Sequence, residues 1–390
     1  MFEMQEEIKK SRHEDGMNMV KLGDIATYVN GYAFKPDDRG DYGLPIIRFQ
    51  DLTGNTYDFG FYDGDYPKKI EINNGDILIS WSASLGVYEW KRGKALLNQH
   101  IFKVVFDKEV DVSKKYFVYA VKYKLEELSR KSHGATMKHV IKKDFDNTKI
   151  PFPSFVRQKE IAERLEKTSK IISGRKKQLQ KLDELIQARF VEMFGGLHNS
   201  KLYPYVSIET FTDVTSGGTP NRNTKEYWEN GNIRWVKTTE LHNNFITDTE
   251  EYITRKGIDN SSAKVIPAHS ILVAMYGQGK TRGMTGYLLK ECTTNQACAC
   301  ILPCKRVDQK YLWYYMILSY DKLRGMAKGG NQPNLNIGII KRFQVLVPPI
   351  ELQSQFADFV NQVNKSKVEI QQALEKTQLL FDSLMQQYFG

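Results

Sequence analysis

Apolar residues recur with a heptad rhythm in two long segments of the chain, residues 155–194 and 350–389. An apolar seam of this kind predicts two long helices that pack on each other, and a helix of about 40 residues is about 60 Å long. Both seams are imperfect, because Arg175, Arg189 and Lys367 occupy positions of the core type. Each helix would therefore be only marginally stable alone. An antiparallel pair is the simplest arrangement that covers both seams.

The two helical segments belong to an internal repeat. Residues 134–195 align without a gap on residues 329–390, which lie 195 positions further along (329 − 134 = 195). A repeat of this length predicts two copies of one structural unit. Matched pairs include Gly134 with Gly329, Pro153 with Pro348, Gln158 with Gln353, Ala162 with Ala357, and Gly195 with Gly390.

A segment of different character, here called a head, precedes each long helix. Short β-branched and aromatic runs at residues 76–81, 101–106 and 270–276 alternate with turns rich in Gly, Asn and Asp. This pattern predicts twisted, mostly antiparallel sheet, with helices at residues 115–129 and 308–326. Similar runs recur in both heads, but the number of residues between matching runs of the two heads changes along the chain. One fold with divergent loops suggests one task directed at two targets.

The chain is therefore expected to have an α+β fold. It would contain two related, mostly β globular domains, each followed by a long α-helix. The two helices would pair as an antiparallel coiled coil with a pseudo-twofold repeat. The expected parts are an N-terminal extension at residues 1–18, a first head at 19–153, a central helical spacer at 154–195, a second head at 196–348, and a C-terminal helical spacer at 349–390.

The charge balance points to a polyanionic partner. The chain has 390 residues, and 56 Lys and Arg against 46 Asp and Glu give a formal net charge of +10. Nucleic acid and an anionic membrane surface both suit such an excess, and a solubilising surface is the alternative. No run approaches the roughly 18 consecutive apolar residues of a membrane span, and residues 1–19 lack the apolar core of a signal peptide. Of the two polyanions, nucleic acid is the expected partner, and no membrane partner is expected.

All four cysteines lie within one short segment, at Cys292, Cys298, Cys300 and Cys304. No CxxC pair is present, and the alternation of Cys298 with Cys300 is typical of a strand. The corresponding position in the first head is the apolar Ile101. Core thiols in a reduced, cytoplasmic protein are thus favoured over a zinc site. Neither a metal ion nor another cofactor is expected.

Residues 274–281, AMYGQGKT, resemble a loosened phosphate-binding loop. Such a loop must lead into a helix whose N-terminus binds phosphate, but residues 282–287 are a poor helix start. A glycine-rich loop that carries long hydrogen-bond donors suits contact with DNA better than the binding of a nucleotide. The chain also lacks a nucleophile elbow, an HExxH motif and a dinucleotide fingerprint, so no catalytic residue is expected.

The order of several motifs resembles a known family. Residues 216–241, SGGTPNRNTKEYWENGNIRWVKTTEL, the Asn295-Gln296 pair and the Pro-containing hinge before each long helix resemble the target-recognition domain of type I restriction–modification specificity subunits. The resemblance covers nearly the whole chain beyond Met19 and rests on the order and duplication of the motifs. The first head lacks the Gly-Gly-Thr-Pro run and the Trp pair.

The resemblance implies two recognition domains held apart by an antiparallel helical spacer. Each domain would bind one half of a split, asymmetric site in double-stranded DNA. Two modification (methyltransferase) subunits would dock on this chain and a restriction subunit would join them. Methyl transfer and cleavage would belong to those partners.

Base edges would be contacted by Arg, Lys, Asn and Gln in the loops of the heads, and phosphates by Lys and Arg. The Asn295-Gln296 pair could instead satisfy a turn inside the sheet. The candidates in the first head are Tyr32, Lys35, Arg48, Lys91, Arg92, Lys138 and His139. The candidates in the second head are Thr219, Arg222, Asn223, Lys237, Tyr276, Gln278, Lys280, Arg282, Asn331 and Gln332.

Two other classes of protein stay open at this point. A fused restriction–modification enzyme would need a PD-(D/E)xK nuclease core or a methyltransferase core, and the sequence contains neither motif. A coiled-coil scaffold that binds only proteins would not need the basic balance or the divergence between the heads.

Overall fold

The computed structural model describes residues 18–53, 60–81, 85–131, 142–277, 279–328 and 333–390. These residues form two compact units. Unit 1 consists of the described residues up to Lys176 together with Gln372–Gly390, and unit 2 consists of Lys177–Gln371. The division falls inside both long helices, so each unit combines one head with a part of each helix.

The head of unit 1 is built from short strands and helices. Its strands are β1 (Asn18–Lys21), β2 (Thr27–Asn30), β3 (Leu44–Ile47), β4 (Phe61–Tyr62), β5 (Glu71–Ile72), β6 (Ile77–Ser80), β7 (Gly86–Glu89), β8 (Ala95–Leu97), β9 (Ile101–Val105) and β10 (Lys149–Phe152). Its helices are α1 (Leu22–Ile25), α2 (Phe49–Leu52), α3 (Lys114–Lys131) and α4 (Lys142–Asn147), and the first long helix, α5 (Phe155–Phe194), follows.

The head of unit 2 has the same general composition. Its strands are β11 (Tyr205–Ser207), β12 (Val214–Ser216), β13 (Ile233–Val236), β14 (Asn244–Ile246), β15 (Glu251–Ile253), β16 (Ile271–Ala274), β17 (Thr285–Leu288), β18 (Thr293–Thr294), β19 (Cys298–Ile301) and β20 (Gln344–Leu346). Its helices are α6 (Arg255–Asp259), α7 (Gln309–Leu318), α8 (Tyr320–Gly325) and α9 (Ile337–Lys341), and the second long helix, α10 (Ile350–Phe389), follows.

Strand order is similar in the two heads. The main sheet of unit 1 has the order β2-β9-β6-β7, and that of unit 2 has the order β12-β19-β16-β17 with β14 added at the edge. A second sheet contains a parallel pair in both heads, β3 with β8 and β13 with β18. The first strand of each head pairs with the last, β1 with β10 and β11 with β20. The drift in the sequence offset therefore comes from the connections between matching strands.

The register of the main sheets agrees with the correspondence that the sequence predicted. Ser80 at the end of β6 pairs with Ile101, and Ala274 at the end of β16 pairs with Cys298. Ile101 and Cys298 thus hold the same position in the two sheets. The prediction of mostly antiparallel sheet is confirmed, and the parallel pairs are β3–β8, β13–β18 and β14–β17.

Of the four helices that the sequence predicted, three are present as expected, and the short helices α1, α2, α4, α6 and α9 were not predicted. The long helices α5 and α10 occupy residues 155–194 and 350–389 as predicted, and α3 covers the helix expected at 115–129. The prediction of one continuous helix over 308–326 was wrong, because the chain breaks between α7 and α8 at Ser319. The backbone there, with φ −87° and ψ 10°, lies outside the regular helical range.

A buried glutamine fastens the start of each long helix. Gln158 accepts a hydrogen bond from the backbone N–H of Ser113 (2.9 Å) and donates one to the carbonyl of Pro153 (3.0 Å). Gln353, 195 residues later, accepts from the N–H of Asp308 (2.9 Å) and donates to the carbonyl two residues before α10 (2.7 Å). A buried amide with partners on both sides fixes the direction in which the helix leaves the head.

The basic residues at core-type positions of the helices have partners. In unit 1 the guanidinium of Arg175 donates to the carbonyl of Ala373 and to the hydroxyl of Thr377. In unit 2 Lys367 pairs with Asp183 at 2.5 Å. Polar pairs of this kind allow a long basic side chain to stay within an otherwise apolar seam.

Aromatic contacts attach each head to a helix end within the same unit. In unit 1 the ring of Tyr116, on α3, lies 5.3 Å from that of Phe389. In unit 2 the ring of Tyr311, on α7, lies 5.5 Å from that of Phe194. Both tyrosines are fully buried, and each donates its hydroxyl to a carbonyl of the last strand of its head.

None of the helices in the described part of the chain combines the length and the apolarity needed to cross a lipid bilayer.

Candidate nucleic-acid interface

A glycine in each head allows two backbone segments to touch. A Cβ atom added at Gly217 would lie 1.9 Å from the carbonyl oxygen of Thr294, and one added at Gly31 would lie 1.9 Å from that of Asn98. Neither position can carry a side chain without displacing backbone. The first head lacks the Gly-Gly-Thr-Pro run, but it keeps the close approach that this run provides in the second head.

The Asn295-Gln296 pair has two different roles. The Asn295 side chain accepts a hydrogen bond from the N–H of Ala297 (3.0 Å), which satisfies a turn. The Gln296 side chain is exposed and accepts from the Thr219 hydroxyl at 2.6 Å. The end of β16 meets the same turn, because the N–H of Met275 donates to the carbonyl of Ala297 (2.8 Å). Three segments of the second head therefore meet at one surface.

Arg222 is held by aromatic rings. Its guanidinium lies 3.7 Å from the ring centre of Trp228 and 4.5 Å from that of Trp235, and it pairs with Glu251. The Trp235 indole in turn donates to the carbonyl of Gly218 (3.1 Å). Arg222 therefore stabilises the loop that follows the Gly-Gly-Thr-Pro run. The sequence alone did not distinguish this structural role from contact with DNA.

Two further candidates, Lys237 and Asn223, belong to the same region of the second head as Arg222. Lys237 pairs with Glu250 at 2.6 Å and with Glu251 at 3.1 Å, and its hydrogen bond with Glu250 raises the pKa of the lysine. The side chain of Asn223 is exposed, and its backbone N–H donates to the Asn221 side chain at 3.0 Å.

The glycine-rich segment forms a loop between antiparallel strands β16 and β17, and strand β17 follows it where a phosphate-binding loop would need a helix. Gly277, Gly279 and Gly283 have φ values of 136°, 62° and 87°, which lie in the positive region that favours glycine. Tyr276 is 44% exposed and Lys280 is exposed. The loop therefore presents an aromatic ring and a cation on a tightly turned backbone.

Arg282 points back toward the protein. Its guanidinium donates to the carbonyl of Pro333, and the N–H of Leu335 donates to the carbonyl of Met275 (3.0 Å). Two hydrogen bonds thus join the glycine-rich loop to the segment that begins at Pro333. Arg282 contributes to this connection, whereas Lys280 does not.

The first head divides its candidates in a similar way. Arg48 pairs with buried Asp51 at 3.4 Å, and Arg92 lies 4.8 Å from the ring centre of Trp90 and donates to the carbonyl of Asp51. Both arginines therefore hold the local fold around Asp51. Lys91 has a largely exposed side chain and pairs with Glu89 at 3.1 Å.

Two further candidates of the first head lie directly after β2. Tyr32 is 46% exposed, with its ring 5.0 Å from that of Phe34. The Lys35 side chain is exposed, and its backbone N–H donates to Asp38 at 2.6 Å. Five candidates lie outside the described residues: Lys138, His139, Gln278, Asn331 and Gln332.

The cysteines lie in the core of the second head. Cys292, Cys298 and Cys300 are buried, and burial raises the pKa of the Cys298 thiol to about 12. Such thiols stay protonated at neutral pH and are poor nucleophiles and metal ligands. Across the described ranges, no cluster of three or more His, Cys, Asp and Glu side chains is arranged to hold a metal ion.

Sequence reasoning missed Tyr320 and Arg324, two half-buried residues of α8 that contact the backbone of the glycine-rich loop. Both lie in the segment expected to be one helix. A Tyr and an Arg four residues apart are common on a helix surface and do not indicate a contact with a loop. The only signal available from the sequence was the glycine content of the loop itself, since a loop so free to move needs something to hold it.

The two heads, their strand order and the long helices define a class of protein. The family model for the type I restriction modification DNA specificity domain matches residues 14–184 and again residues 202–379, and the chain belongs to that family. The specificity subunit of type I restriction enzyme MjaVIII from Methanocaldococcus jannaschii is 22% identical over 94% of this chain and 92% of its own length.

Other relatives match over a shorter stretch. The specificity subunit of the EcoR124I/EcoR124II enzyme from Escherichia coli is 30% identical over 41% of this chain, and that of EcoBI, also from E. coli, is 27% identical over 44%. These alignments span 40% and 36% of the length of the two relatives.

Solved structures show the same fold. The S subunit of the type I restriction–modification system of M. genitalium superposes with a TM-score of 0.54 at 14% identity over 96% of both chains. A chain from a study of complex assembly in the type I R-M system has a TM-score of 0.55 at 15% identity over 95% of this chain and 97% of its own.

Proposed function

We propose that this chain is the DNA sequence-specificity subunit of a type I restriction–modification system, and that each head recognises one half of a bipartite, asymmetric site in double-stranded DNA. The observation that carries the proposal is the double match to the specificity-domain family on two heads of similar strand order. The heads differ where contact with DNA is expected. One loop of the second head is built on Trp228 and Trp235, while the first head has Tyr32 and Lys35 after its matching glycine.

Each head offers exposed donors on a fixed backbone. In the second head, Lys280, Tyr276 and Gln296 combine a cation, an aromatic hydroxyl and an amide. An amide or a cation on a fixed loop can contact base edges in the major groove, and exposed lysines can contact phosphates. The net charge of +10 favours the approach of the polyanion.

The long helices form an antiparallel coiled coil with a pseudo-twofold relation between the repeats. This proposal is supported by a reciprocal exchange of partners: Tyr116 packs on Phe389 and Tyr311 packs on Phe194, and both tyrosines and both phenylalanines are 195 positions apart. Within unit 2, contacts of Phe190 with Phe356 and of Asp183 with Lys367 proceed in opposite directions along the two helices, as an antiparallel pair requires.

Modification subunits and a restriction subunit would assemble on this chain and carry out methyl transfer and cleavage. The absence of a nuclease or methyltransferase motif from the sequence supports this division of labour. It also argues against a fused enzyme, and the divergence of the two heads argues against a scaffold that binds only proteins.

The test is to express the chain with its modification subunits in a host without other DNA methyltransferases, and to map the methylated bases. We expect one split motif, with two defined blocks separated by unspecified bases, that disappears when the chain is omitted. Methylation at a continuous motif, or methylation that does not depend on the chain, would contradict the proposal. The purified chain alone should neither methylate nor cleave DNA.

A further inference from the structure

The glycine-rich loop of the second head, residues 275–284, carries two of the best placed candidates for DNA contact, Tyr276 and Lys280. Its three glycines with positive φ give the backbone many alternative conformations in isolation. A contact with a base edge needs a donor held to within a fraction of an ångström, so a loop of this composition requires external support.

Arg324 on α8 supplies much of that support. Its guanidinium donates to the carbonyl of Gly279 (2.8 Å) and to the carbonyl of Arg282 (2.8 Å), and it also donates to the hydroxyl of Tyr320 (2.9 Å). No carboxylate among the described residues pairs with Arg324, so its fork of donors is directed at the backbone of the loop. Hydrogen bonds from a charged donor are stronger than neutral ones.

Tyr320 completes the contact. Its hydroxyl donates to the carbonyl of Lys280 at 2.6 Å, so Arg324 and Tyr320 together hold three carbonyls over four residues of the loop. The loop also packs closely on both residues, since a Cβ atom added at Gly283 would lie 3.2 Å from Cγ of Arg324 and 3.5 Å from the Tyr320 ring. A larger residue at position 283 would crowd the Arg324 side chain and would be strained at a φ of 87°.

Both side chains are half-buried and lie outside the apolar core, to which α8 contributes Leu323. Their hydrogen bonds are directed at the loop carbonyls and at each other. Removing them would therefore release the loop without opening the core of unit 2.

We propose that Arg324 and Tyr320 are positioning residues that set the sequence specificity of the second head by holding the glycine-rich loop in the geometry that recognises DNA. They act through Lys280 and Tyr276 and make no contact with DNA themselves. This inference rests on the function proposed above. Preorganisation of a loop increases affinity for the target that fits it, because less conformational freedom is lost on binding.

The experiment measures binding of the chain, assembled with its modification subunits, to the cognate duplex and to duplexes with one mismatch in either half-site, over a range of salt concentrations. The variants are Arg324→Lys, which keeps the charge but loses the fork, and Tyr320→Phe, which removes only the hydroxyl. Lys322→Ala is the matched control, because Lys322 lies on the same helix and is exposed, and no hydrogen bond or ion pair joins it to the described residues of the loop. Circular dichroism checks the fold.

We expect each variant to bind the cognate duplex roughly tenfold more weakly. Its affinity for duplexes with a mismatch in the half-site of the second head should stay nearly unchanged. Discrimination in that half-site should therefore fall, and discrimination in the other half-site and the salt dependence should stay as in the unmodified chain. Amide hydrogen exchange within residues 275–284 should become faster in the free protein. The Lys322→Ala control should match the unmodified chain throughout.

Two results would overturn the inference while leaving the proposed function intact. Equal weakening of Arg324→Lys on every duplex, cognate and mismatched in either half-site, would mean that Arg324 contacts phosphate directly, because phosphate contacts do not depend on the base sequence. Unchanged discrimination in both half-sites would mean that the contact with α8 has no part in specificity. If the unmodified assembly itself shows no preference for sequence, the proposed function fails and the inference fails with it.

Discussion

Lys280 and Arg282 are neighbours on one loop, but their side chains differ in what they contact. The Arg282 guanidinium is bonded to the carbonyl of Pro333, whereas no ion pair joins the exposed Lys280 side chain to the described residues. The sequence predicted both as DNA contacts, because spacing alone does not tell a basic side chain that faces solvent from one that folds back onto backbone.

We expect Lys280→Ala to reduce DNA affinity and to leave the free energy of unfolding nearly unchanged. A lost contact with guanine would cost about 1–3 kcal/mol on the cognate duplex and relax one base position. A lost contact with phosphate would weaken binding on all duplexes and reduce the salt slope by about one. Arg282→Ala should instead speed amide exchange in the loop. Binding of Lys280→Ala that equals the unmodified chain on every duplex would show that this loop does not touch DNA.

Arg222 is the second residue whose role the fold redefines. Stacking on Trp228 and Trp235 at a partly exposed site contributes about 0.5–1 kcal/mol for each ring, and the ion pair with Glu251 adds little because it is solvent-screened. We therefore expect Arg222→Ala to lower the free energy of unfolding by about 1–2 kcal/mol in urea titrations. Lys225→Ala is the control, because Lys225 pairs only loosely with exposed Glu229 (3.6 Å) and should have no measurable effect.

Among the elements, the long helices were the most predictable from sequence. The Pro-containing hinges marked the start of each helix, and an apolar pattern repeated over ten turns or so leaves few alternatives to a helix. The break at Ser319 escaped prediction because it depends on one backbone torsion, and the apolar pattern continues across it. The contact of α8 with the glycine-rich loop was also missed, because it joins residues about 40 positions apart in sequence.

The glutamines at the hinges should contribute strongly to stability. Gln353→Ala leaves a buried carbonyl and the part-buried N–H of Asp308 without their partners, and an unsatisfied group costs about 1–3 kcal/mol where it is fully buried. We expect the midpoint of urea unfolding to fall accordingly. Gln362→Ala, at an exposed position of the same helix, should leave the midpoint unchanged. An equal effect of both variants would show that the hinge bonds contribute little.

At the scale of the whole molecule, the repeat was recognisable from sequence because α5 and α10 align without a gap. The heads were harder to align, since their matching strands are joined by loops of different length. The two-unit arrangement, in which each head is associated with parts of both helices, could not be predicted. It depends on contacts such as Tyr116 with Phe389, which are far apart in sequence.

If each head recognises its own half-site, the heads should be exchangeable. Replacing residues 206–328 by the corresponding segment of a relative with another target should change one block of the methylated motif and preserve the other. The reason is that the loops of the first head, which would contact the other block, are untouched. Genome-wide mapping of methylated bases measures both blocks at once. A change in both blocks would mean that the heads do not act independently.

The composition of unit 1 from two separate stretches of chain also sets an order of events during translation. Unit 2 is continuous, so all of it is synthesised before Gln372–Gly390. Until then Tyr116 lacks Phe389, and Arg175 lacks the backbone of Ala373 and the hydroxyl of Thr377. Domains usually mature in the order of synthesis, but here the part made first must be completed last. We therefore expect the first head to stay incomplete, with Tyr116 lacking its partner ring, until synthesis of the last turns of α10.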